Sequence, residues 1–201
     1  MTACNILISS VGGQGGITLA RALSTAAMGM GLNVRVGESL GMAQRGGSVM
    51  SHVRLGDDVH GALIPEGKAD VVLSLEPAET LRVVKYLSGD TKVIMNSSPV
   101  LPISVLLNET SYPEIGDIEE LLRKVAGKVY TIGALDLAVK AGTSRSLNVV
   151  MLGAYMALCE PVLSIEAVKE ALKETLPSRY LEMNMRAFEM GMEEMRKKLS
   201  P

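Results

Sequence analysis

Near its N-terminus the chain reads Asn5-Ile6-Leu7-Ile8-Ser9-Ser10-Val11-Gly12-Gly13-Gln14-Gly15-Gly16, an apolar run that passes into a glycine-dense turn. The apolar run predicts a strand that is buried on both faces, as in a parallel sheet. The residues after the glycines repeat with helical spacing, with Leu19, Leu23 and Ala27 on one face. A strand, a glycine turn and a helix in this order predict an open α/β sheet. Such a sheet binds ligands where backbone N–H groups converge at a helix N-terminus.

Strand and helix patterns alternate along the first two thirds of the chain. We therefore expect one α/β domain over residues 1–201, doubly wound around a mainly parallel, Rossmann-like sheet. The sheet core is expected in about 1–133 and a helical part in about 134–201. Residues 97–113 contain three prolines and predict irregular structure, with one short strand around 103–106. The alternating pattern of 49–55 predicts a strand near a sheet edge. The predicted strands are 5–9, 33–36, 49–55, 69–75, 92–95 and 129–132.

Two predicted helices carry distinct side-chain patterns. Glu76 and Glu79 flank a proline at a predicted helix start, where the helix dipole favours acidic residues. The last helix has an apolar stripe at alternating steps of four and three residues, which suits packing on this domain or on a neighbouring subunit equally well. The stripe consists of Leu181, Met185, Phe188, Met192, Met195 and Leu199.

Composition excludes several classes of function. Hydrophobic residues make up 47% of the 201 residues, which is ample for a folded core. A net charge of −2, an aromatic content of 3% and the absence of Trp argue against a nucleic-acid partner. The chain has no basic leader and no apolar stretch of the ~20 residues that a membrane span needs. We expect a soluble, cytoplasmic protein without a membrane partner.

The cysteines and histidines do not predict a metal site. Cys4 and Cys159 are far apart, whereas an iron–sulfur cluster or a structural zinc ion needs about four ligands. His52 and His60 lack further ligands at suitable spacing, so we expect both to be structural. No Ser/His/Asp or Cys/His nucleophile set is apparent, and we expect this chain to bind no metal.

A second glycine-dense stretch reads Gly41-Met42-Ala43-Gln44-Arg45-Gly46-Gly47-Ser48. Two glycines beside an arginine let the backbone approach a ligand closely while the guanidinium binds a carboxylate or phosphate. A solvent-exposed turn before the next strand is the alternative interpretation. Arg54, on that strand, is a candidate to share the site or a solvated edge arginine.

The first glycine turn also permits a dinucleotide-binding interpretation, with Glu38 as the acidic residue after the second strand. The spacing does not fit in detail. With Gly13 and Gly15 as the first two glycines, Thr18 stands where the third small residue belongs. No Lys-Ser/Thr pair follows the turn, which excludes a P-loop.

The two glycine stretches, with three further segments, resemble the gamma-type subunit or domain of 2-oxoacid:ferredoxin oxidoreductases. Within that family the sequence is most similar to the beta-subunit group of the indolepyruvate ferredoxin oxidoreductases. The resemblance spans nearly the whole chain, and the Gln-Arg-Gly-Gly-Ser segment is its most specific part. Gly16 departs from the family pattern, which often has an apolar residue there. The further segments are His52-Val53-Arg54, Ala69-Asp70-Val71-Val72 and Asn148-Val149-Val150-Met151-Leu152-Gly153-Ala154.

The resemblance implies a subunit of an enzyme that oxidatively decarboxylates a 2-oxoacid, such as an arylpyruvate, on thiamine diphosphate. Electrons then pass through iron–sulfur clusters to ferredoxin, and the acyl group is transferred to coenzyme A. In the family the large alpha subunit carries the thiamine diphosphate and the clusters. This chain is therefore expected to bind no cofactor alone, to be inactive alone and to complete the alpha subunit's active site.

The same resemblance suggests which residues face that site. Arg45 is expected to be the catalytic residue, in contact with the substrate carboxylate or the coenzyme A phosphates. Glu38 and Arg54 are candidates for polar support. Two alternatives remain open, namely an independent NAD- or FAD-binding oxidoreductase and a purely structural subunit. The other residues expected to face the site are Gly12, Gly13, Gln14, Gly15, Gly16, Gln44, Gly46, Gly47 and Ser48.

Overall fold

A computed structural model describes residues 3–40, 46–57, 59–158 and 162–200. Its centre is a six-stranded sheet in the order β2-β3-β1-β4-β5-β6. Strands β1, β4, β5 and β6 are parallel, whereas β3 runs antiparallel to both of its neighbours, β1 and β2. The predicted α/β fold with a mainly parallel sheet is confirmed. The strands are β1 (Cys4–Val11), β2 (Val34–Leu40), β3 (Ser48–Leu55), β4 (Val71–Ser74), β5 (Lys92–Asn96) and β6 (Lys128–Ile132).

Helices cover both faces of the sheet, which makes it doubly wound. One face packs against α1 and α5 to α8, and the other against α2 and α4. No helix in the described ranges is both long and apolar enough to cross a membrane. The helices are α1 (Gly16–Gly29), α2 (Pro77–Leu81), α3 (Ile103–Leu106), α4 (Ile115–Arg123), α5 (Ala134–Ala141), α6 (Leu147–Leu158), α7 (Ile165–Thr175) and α8 (Leu181–Leu199), with short 3₁₀ turns at Val84–Tyr86, Ser144–Ser146 and Ser178–Tyr180.

The apolar run of β1 explains its central position. Ile6 and Ile8 point into the core beneath α1 and α6, and Leu7 points into the core on the other face. All three side chains are fully buried. A strand with alternate side chains in two separate cores needs an apolar residue at every position, which is what the sequence provides.

The apolar stripe of the last helix packs on α6 of the same chain. Phe188, Met192 and Met195 are buried in the core that α6 shares. Two glycines make this close contact possible, because a Cβ on Gly153 would overlap with a backbone carbonyl of α8, and a Cβ on Gly191 with one of α6. Of the two interpretations of the stripe, packing on this domain is the one that the structure shows.

One local prediction is wrong and another is confirmed. Residues 103–106 form the short helix α3, not a strand, because Pro102 begins a turn whose carbonyl accepts hydrogen bonds from the N–H groups of Val105 and Leu106. The β3 strand lies near the sheet edge, as predicted, next to the edge strand β2, and it pairs on both sides. Its polar residues therefore indicate local contacts and not solvent.

Candidate functional site

The two glycine stretches meet at the carboxyl end of β1. The N–H of Gly12 donates a hydrogen bond to the carbonyl of Gly47 (2.8 Å), and the N–H of Gly46 donates to the carbonyl of Gly12 (3.4 Å). This contact follows from topology, because β3 is antiparallel to β1 and its first residue, Ser48, pairs with Val11. Gln44 and Arg45, which precede Gly46 directly, lie outside the described residues.

The first glycine turn is held rigidly by the side chain of Gln14. Its Oε1 accepts a hydrogen bond from the N–H of Val11 (3.0 Å), and its Nε2 donates to the carbonyl of Leu75 (3.0 Å), just after β4. Gln14 therefore links the ends of two adjacent strands. The amide group of this predicted site residue therefore stabilises the turn.

The glycines of the turn differ in what surrounds them. Gly15, at the N-cap of α1, has φ +83°, and a Cβ there would lie 2.5 Å from Asn148 Nδ2. A Cβ on Gly16 would lie 2.5 Å from Ser10 Oγ, so a larger residue at either position would require a neighbouring side chain to move. Gly13 has φ +99° and nothing within 4 Å of a Cβ position, so the turn is open to solvent there.

Asn148 connects the turn to the first residues of α6. Its Nδ2 donates a hydrogen bond to the carbonyl of Gly15 (3.1 Å), and its Oδ1 accepts one from the N–H of Val149 (3.0 Å). The side chain is buried. It belongs to a segment that carries the family resemblance, but no sequence pattern separately places Asn148 at the site.

An open cleft of about 520 Å³ lies beside this turn, and among its described lining residues Arg145 is the cation. The guanidinium is exposed, and within the described part of the chain it has no ion-pair or hydrogen-bond partner. Arg145 and Gly13 also border a smaller cleft of about 230 Å³, on the side of residues 98–100. The larger cleft is lined by Gly13, Gln14, Gly15, Thr18, Gly142, Thr143, Arg145, Ser146, Asn148, Leu176, Pro177, Tyr180, Met183 and Asn184.

The electrostatics of this cleft favour an anion. Helix α1 begins at its edge without a side-chain cap, so the partial positive charge of the helix N-terminus is directed towards it. Arg145 adds a full positive charge, and none of the described lining residues is acidic. Leu176, Pro177 and Met183 form an apolar wall, so the cleft suits a molecule with both an anionic group and an apolar part.

The structure does not bring Arg54 or Glu38 to this cleft. Arg54 pairs with Asn5 at the opposite end of β1, where its Nε donates to Asn5 Oδ1 (2.9 Å) and its Nη1 to the carbonyl of Gly61 (2.9 Å). Six residues of strand separate it from the glycine turns, or roughly 20 Å at the usual rise per residue. Glu38 is exposed on the edge strand β2 and pairs with Ser51, so β3 lies between it and β1.

Glu76 does more than the first-turn role that the sequence predicts. Its carboxylate is buried, and its Oε2 accepts a hydrogen bond from the N–H of Glu79 (2.9 Å). Its Oε1 accepts one from the hydroxyl of Tyr112 (2.6 Å) and one from the N–H of Val100 (3.2 Å). Burial and the hydrogen bond to Glu76 raise the pKa of Tyr112. Glu76 thus fixes both ends of residues 100–112 beside the smaller cleft.

His52 is structural, as the sequence predicts. The ring is buried, its Nδ1 accepts a hydrogen bond from the N–H of Ile64 (3.2 Å), and its edge contacts the Tyr86 ring. Burial, and to a lesser extent the charge of Lys85, lower the pKa of His52. Among the described residues no group of three or more His, Cys, Asp or Glu could hold a metal ion, and Cys159 lies outside them.

Comparison with known proteins identifies relatives over nearly the full length. The family model "Pyruvate ferredoxin/flavodoxin oxidoreductase" matches residues 5–194. The chain is 46% identical over 187 residues to the indolepyruvate oxidoreductase subunit IorB of Archaeoglobus fulgidus, covering 93% of this chain and 92% of that protein. It is 43% identical over 192 residues to IorB of Pyrococcus horikoshii, covering 95% of each.

Solved structures share the fold at lower sequence identity. The keto/oxoacid ferredoxin oxidoreductase gamma subunit from Geobacter sulfurreducens has a TM-score of 0.70 and 24% identity, and the match covers 96% of this chain and 99% of that one. The 2-oxoglutarate:ferredoxin oxidoreductase from Magnetococcus marinus has a TM-score of 0.73 and 22% identity, covering 98% of this chain and 32% of that chain. In the latter protein the fold is one part of a longer polypeptide.

Proposed function

Because this chain belongs to the pyruvate ferredoxin/flavodoxin oxidoreductase family, we propose that it completes the active site of a cofactor-bearing partner subunit. The enzyme would oxidatively decarboxylate an arylpyruvate, such as indolepyruvate, and form an aryl-acetyl-CoA. The arylpyruvate assignment is supported by four relatives, at 41–46% identity, that are indolepyruvate oxidoreductase subunits. The observation that carries the site assignment is the direct hydrogen bonding of the two glycine stretches beside a cationic cleft.

The overall reaction defines what this chain needs to contribute. A 2-oxoacid and coenzyme A give an acyl-CoA, CO₂, a proton and two electrons, which ferredoxin accepts. In the partner subunit, thiamine diphosphate would supply the carbanion chemistry and iron–sulfur clusters the electron path. Two cysteines at positions 4 and 159 do not make a four-ligand cluster site. The remaining task is to bind and orient the anionic reactants.

The residues beside the glycine turns suit that task. Arg145 and the N-terminus of α1 would hold a carboxylate of the 2-oxoacid or a phosphate of coenzyme A, since both anions accept hydrogen bonds from guanidinium and backbone N–H groups. Arg45, adjacent to Gly46, would add a second guanidinium from the other stretch. The apolar wall of Leu176 and Met183 would contact the uncharged part of the reactant.

Turnover of the assembled enzyme tests this assignment. The chain is produced together with its alpha subunit, and acyl-CoA formation from indolepyruvate is followed with ferredoxin present. We expect Arg45→Ala and Arg145→Ala each to lower kcat/KM by about 10- to 100-fold, because a charge-assisted hydrogen bond contributes about 1.5–3 kcal/mol. Arg35→Ala is the matched control, since Arg35 is exposed on the edge strand away from the cleft. The purified chain alone should give no turnover.

The two alternative functions make different predictions. A purely structural subunit would tolerate Arg145→Ala and Arg45→Ala without loss of kcat/KM, provided that the complex assembles. An independent dinucleotide-dependent oxidoreductase would bind NAD or FAD in the isolated chain. The position of Glu38 argues against the second, because β3 separates it from the glycine turn that would hold the pyrophosphate.

A further inference from the structure

An uncharged segment of the chain exposes an unusual number of apolar side chains. From Ser97 to Asn108 the sequence contains no charged residue. Within it Ile103, Leu106 and Leu107 are 74%, 64% and 62% exposed. We call residues 99–107 the apolar segment. Single exposed leucines are ordinary, but several in one uncharged stretch mark a surface that another molecule covers.

The apolar segment is held firmly in this exposed position. Val100 is tied to the buried carboxylate of Glu76, which also accepts a hydrogen bond from Tyr112 beyond the far end of the segment. Asn96 Nδ2 donates to the carbonyls of Leu75 (3.0 Å) and Ser98 (3.1 Å), which fixes the start. A surface anchored at both ends presents its side chains in a defined arrangement, which lowers the entropy lost when a partner binds.

The apolar segment is continuous with the cationic cleft region. Pro99 and Val100 line the smaller cleft together with Gly13 and Arg145. Ile103 and Leu106 follow Val100 by only three and six residues, so a macromolecule that covers them can also cover this cleft. An active site shared between two polypeptides needs a contact surface beside the cleft, and the apolar segment is in that position.

We propose that the apolar segment is the docking surface for the catalytic partner subunit, which meets it with an uncharged apolar groove beside its own active site. This inference rests on the proposed function, because it takes the cleft to face chemistry on the partner. A second copy of this chain fits less well, since it would cover the cleft without supplying the residues that the reaction lacks. Relatives of the chain are subunits of oxidoreductases, so another subunit of the same enzyme is the expected occupant of this surface.

A titration with the separately purified alpha subunit of the same enzyme tests the proposal. We expect the double variant Ile103→Asp/Leu106→Asp to bind about 100-fold more weakly, because buried carboxylates at two central contacts oppose association. The matched control is Leu63→Asp, since Leu63 is 64% exposed, as is Leu106, but lies against Gly37 on the edge strand. Leu106→Ser is a milder variant, in case the double variant does not fold. A thermal unfolding curve for each variant checks that the chain remains folded.

The outcomes separate this inference from the proposed function. Unchanged binding of the double variant, or an equal loss with Leu63→Asp, would overturn the docking surface. Loss of self-association in the double variant, with partner binding intact, would also overturn it and would identify a second copy as the occupant. If Arg145→Ala leaves turnover unchanged while the double variant loses binding, the docking surface stands and the anion-binding role of the cleft fails.

Discussion

Substitution of Gly15 by alanine tests the packing of the glycine turn against α6. The backbone has φ +83° there, and the new Cβ would lie 2.5 Å from Asn148 Nδ2 and 3.0 Å from Asn148 Cγ. The side chain of Asn148 would have to move, and its hydrogen bond to the carbonyl of Gly15 would break. The Gly13→Ala variant is a matched control, because Gly13 has φ +99° but open space around the Cβ position.

The expected magnitudes follow from these two environments. Left-handed backbone strain destabilises an alanine by about 1–2 kcal/mol, partly offset by the lower entropy of the unfolded alanine chain. Gly13→Ala should therefore lower the free energy of unfolding by about 1 kcal/mol. Gly15→Ala adds the lost hydrogen bond and a poorly satisfied amide in a buried position, so its effect should be about 3 kcal/mol.

Urea unfolding followed by far-UV circular dichroism measures both effects. The difference should disappear in an Asn148→Ala background, where Gly15→Ala should cost no more than Gly13→Ala. Equal destabilisation by Gly13→Ala and Gly15→Ala in the wild-type background would refute the argument. It would mean that Asn148 moves aside freely and does not hold the turn.

Three further measurements test other parts of the structure. Gly191→Ala should lower the free energy of unfolding by about 3 kcal/mol, because its Cβ would overlap with a backbone carbonyl of α6, whereas Gly29→Ala, with open space, should not. Because the pKa of His52 is lowered in the folded state, the unfolded state binds a proton more readily. The free energy of unfolding should therefore fall as the pH drops below about 6.5. Acid unfolding curves of His52→Gln should show a weaker dependence on pH. Glu76→Gln should lower the free energy of unfolding by about 2 kcal/mol in thermal or urea unfolding, since one amide oxygen cannot accept hydrogen bonds from the donors of Glu79, Val100 and Tyr112 together. An effect no larger than that of Tyr112→Phe would contradict this account.

The parts of the fold that the sequence predicts are those with a local cause. The apolar run of β1, the glycines before α1 and the apolar stripe of α8 each have a pattern that only one local structure satisfies. The direction and neighbours of β3 have no such local cause. Its alternating pattern arises from packing on one face and polar contacts such as the hydrogen bond of His52 on the other, which resembles an edge strand in the sequence.

The candidate site also has features that the sequence predicts and features that depend on the fold. The contact between the two glycine stretches depends on strand pairing, but their composition alone was enough to single them out. Arg145 was not predicted, because it occurs in a short 3₁₀ turn without glycines or a motif, and only folding brings it to Gly13. Arg54 is a candidate from the sequence because it is on the strand that follows the second glycine stretch, but strand geometry places it at the far end of β3.

The insertion of β3 distinguishes the surroundings of this glycine turn from those in a dinucleotide-binding fold. In a dinucleotide-binding fold, the second strand lies beside the first and its acidic residue contacts the ribose next to the glycine turn. Here β3 occupies that position, and the backbone of Gly46 and Gly47 contacts Gly12 where a ribose would otherwise approach. The space that remains open lies on the other side of the turn, towards Arg145 and the start of α8. A single antiparallel strand would therefore direct an anion, if bound as proposed, away from the edge strand and towards the face where the apolar segment would receive the partner.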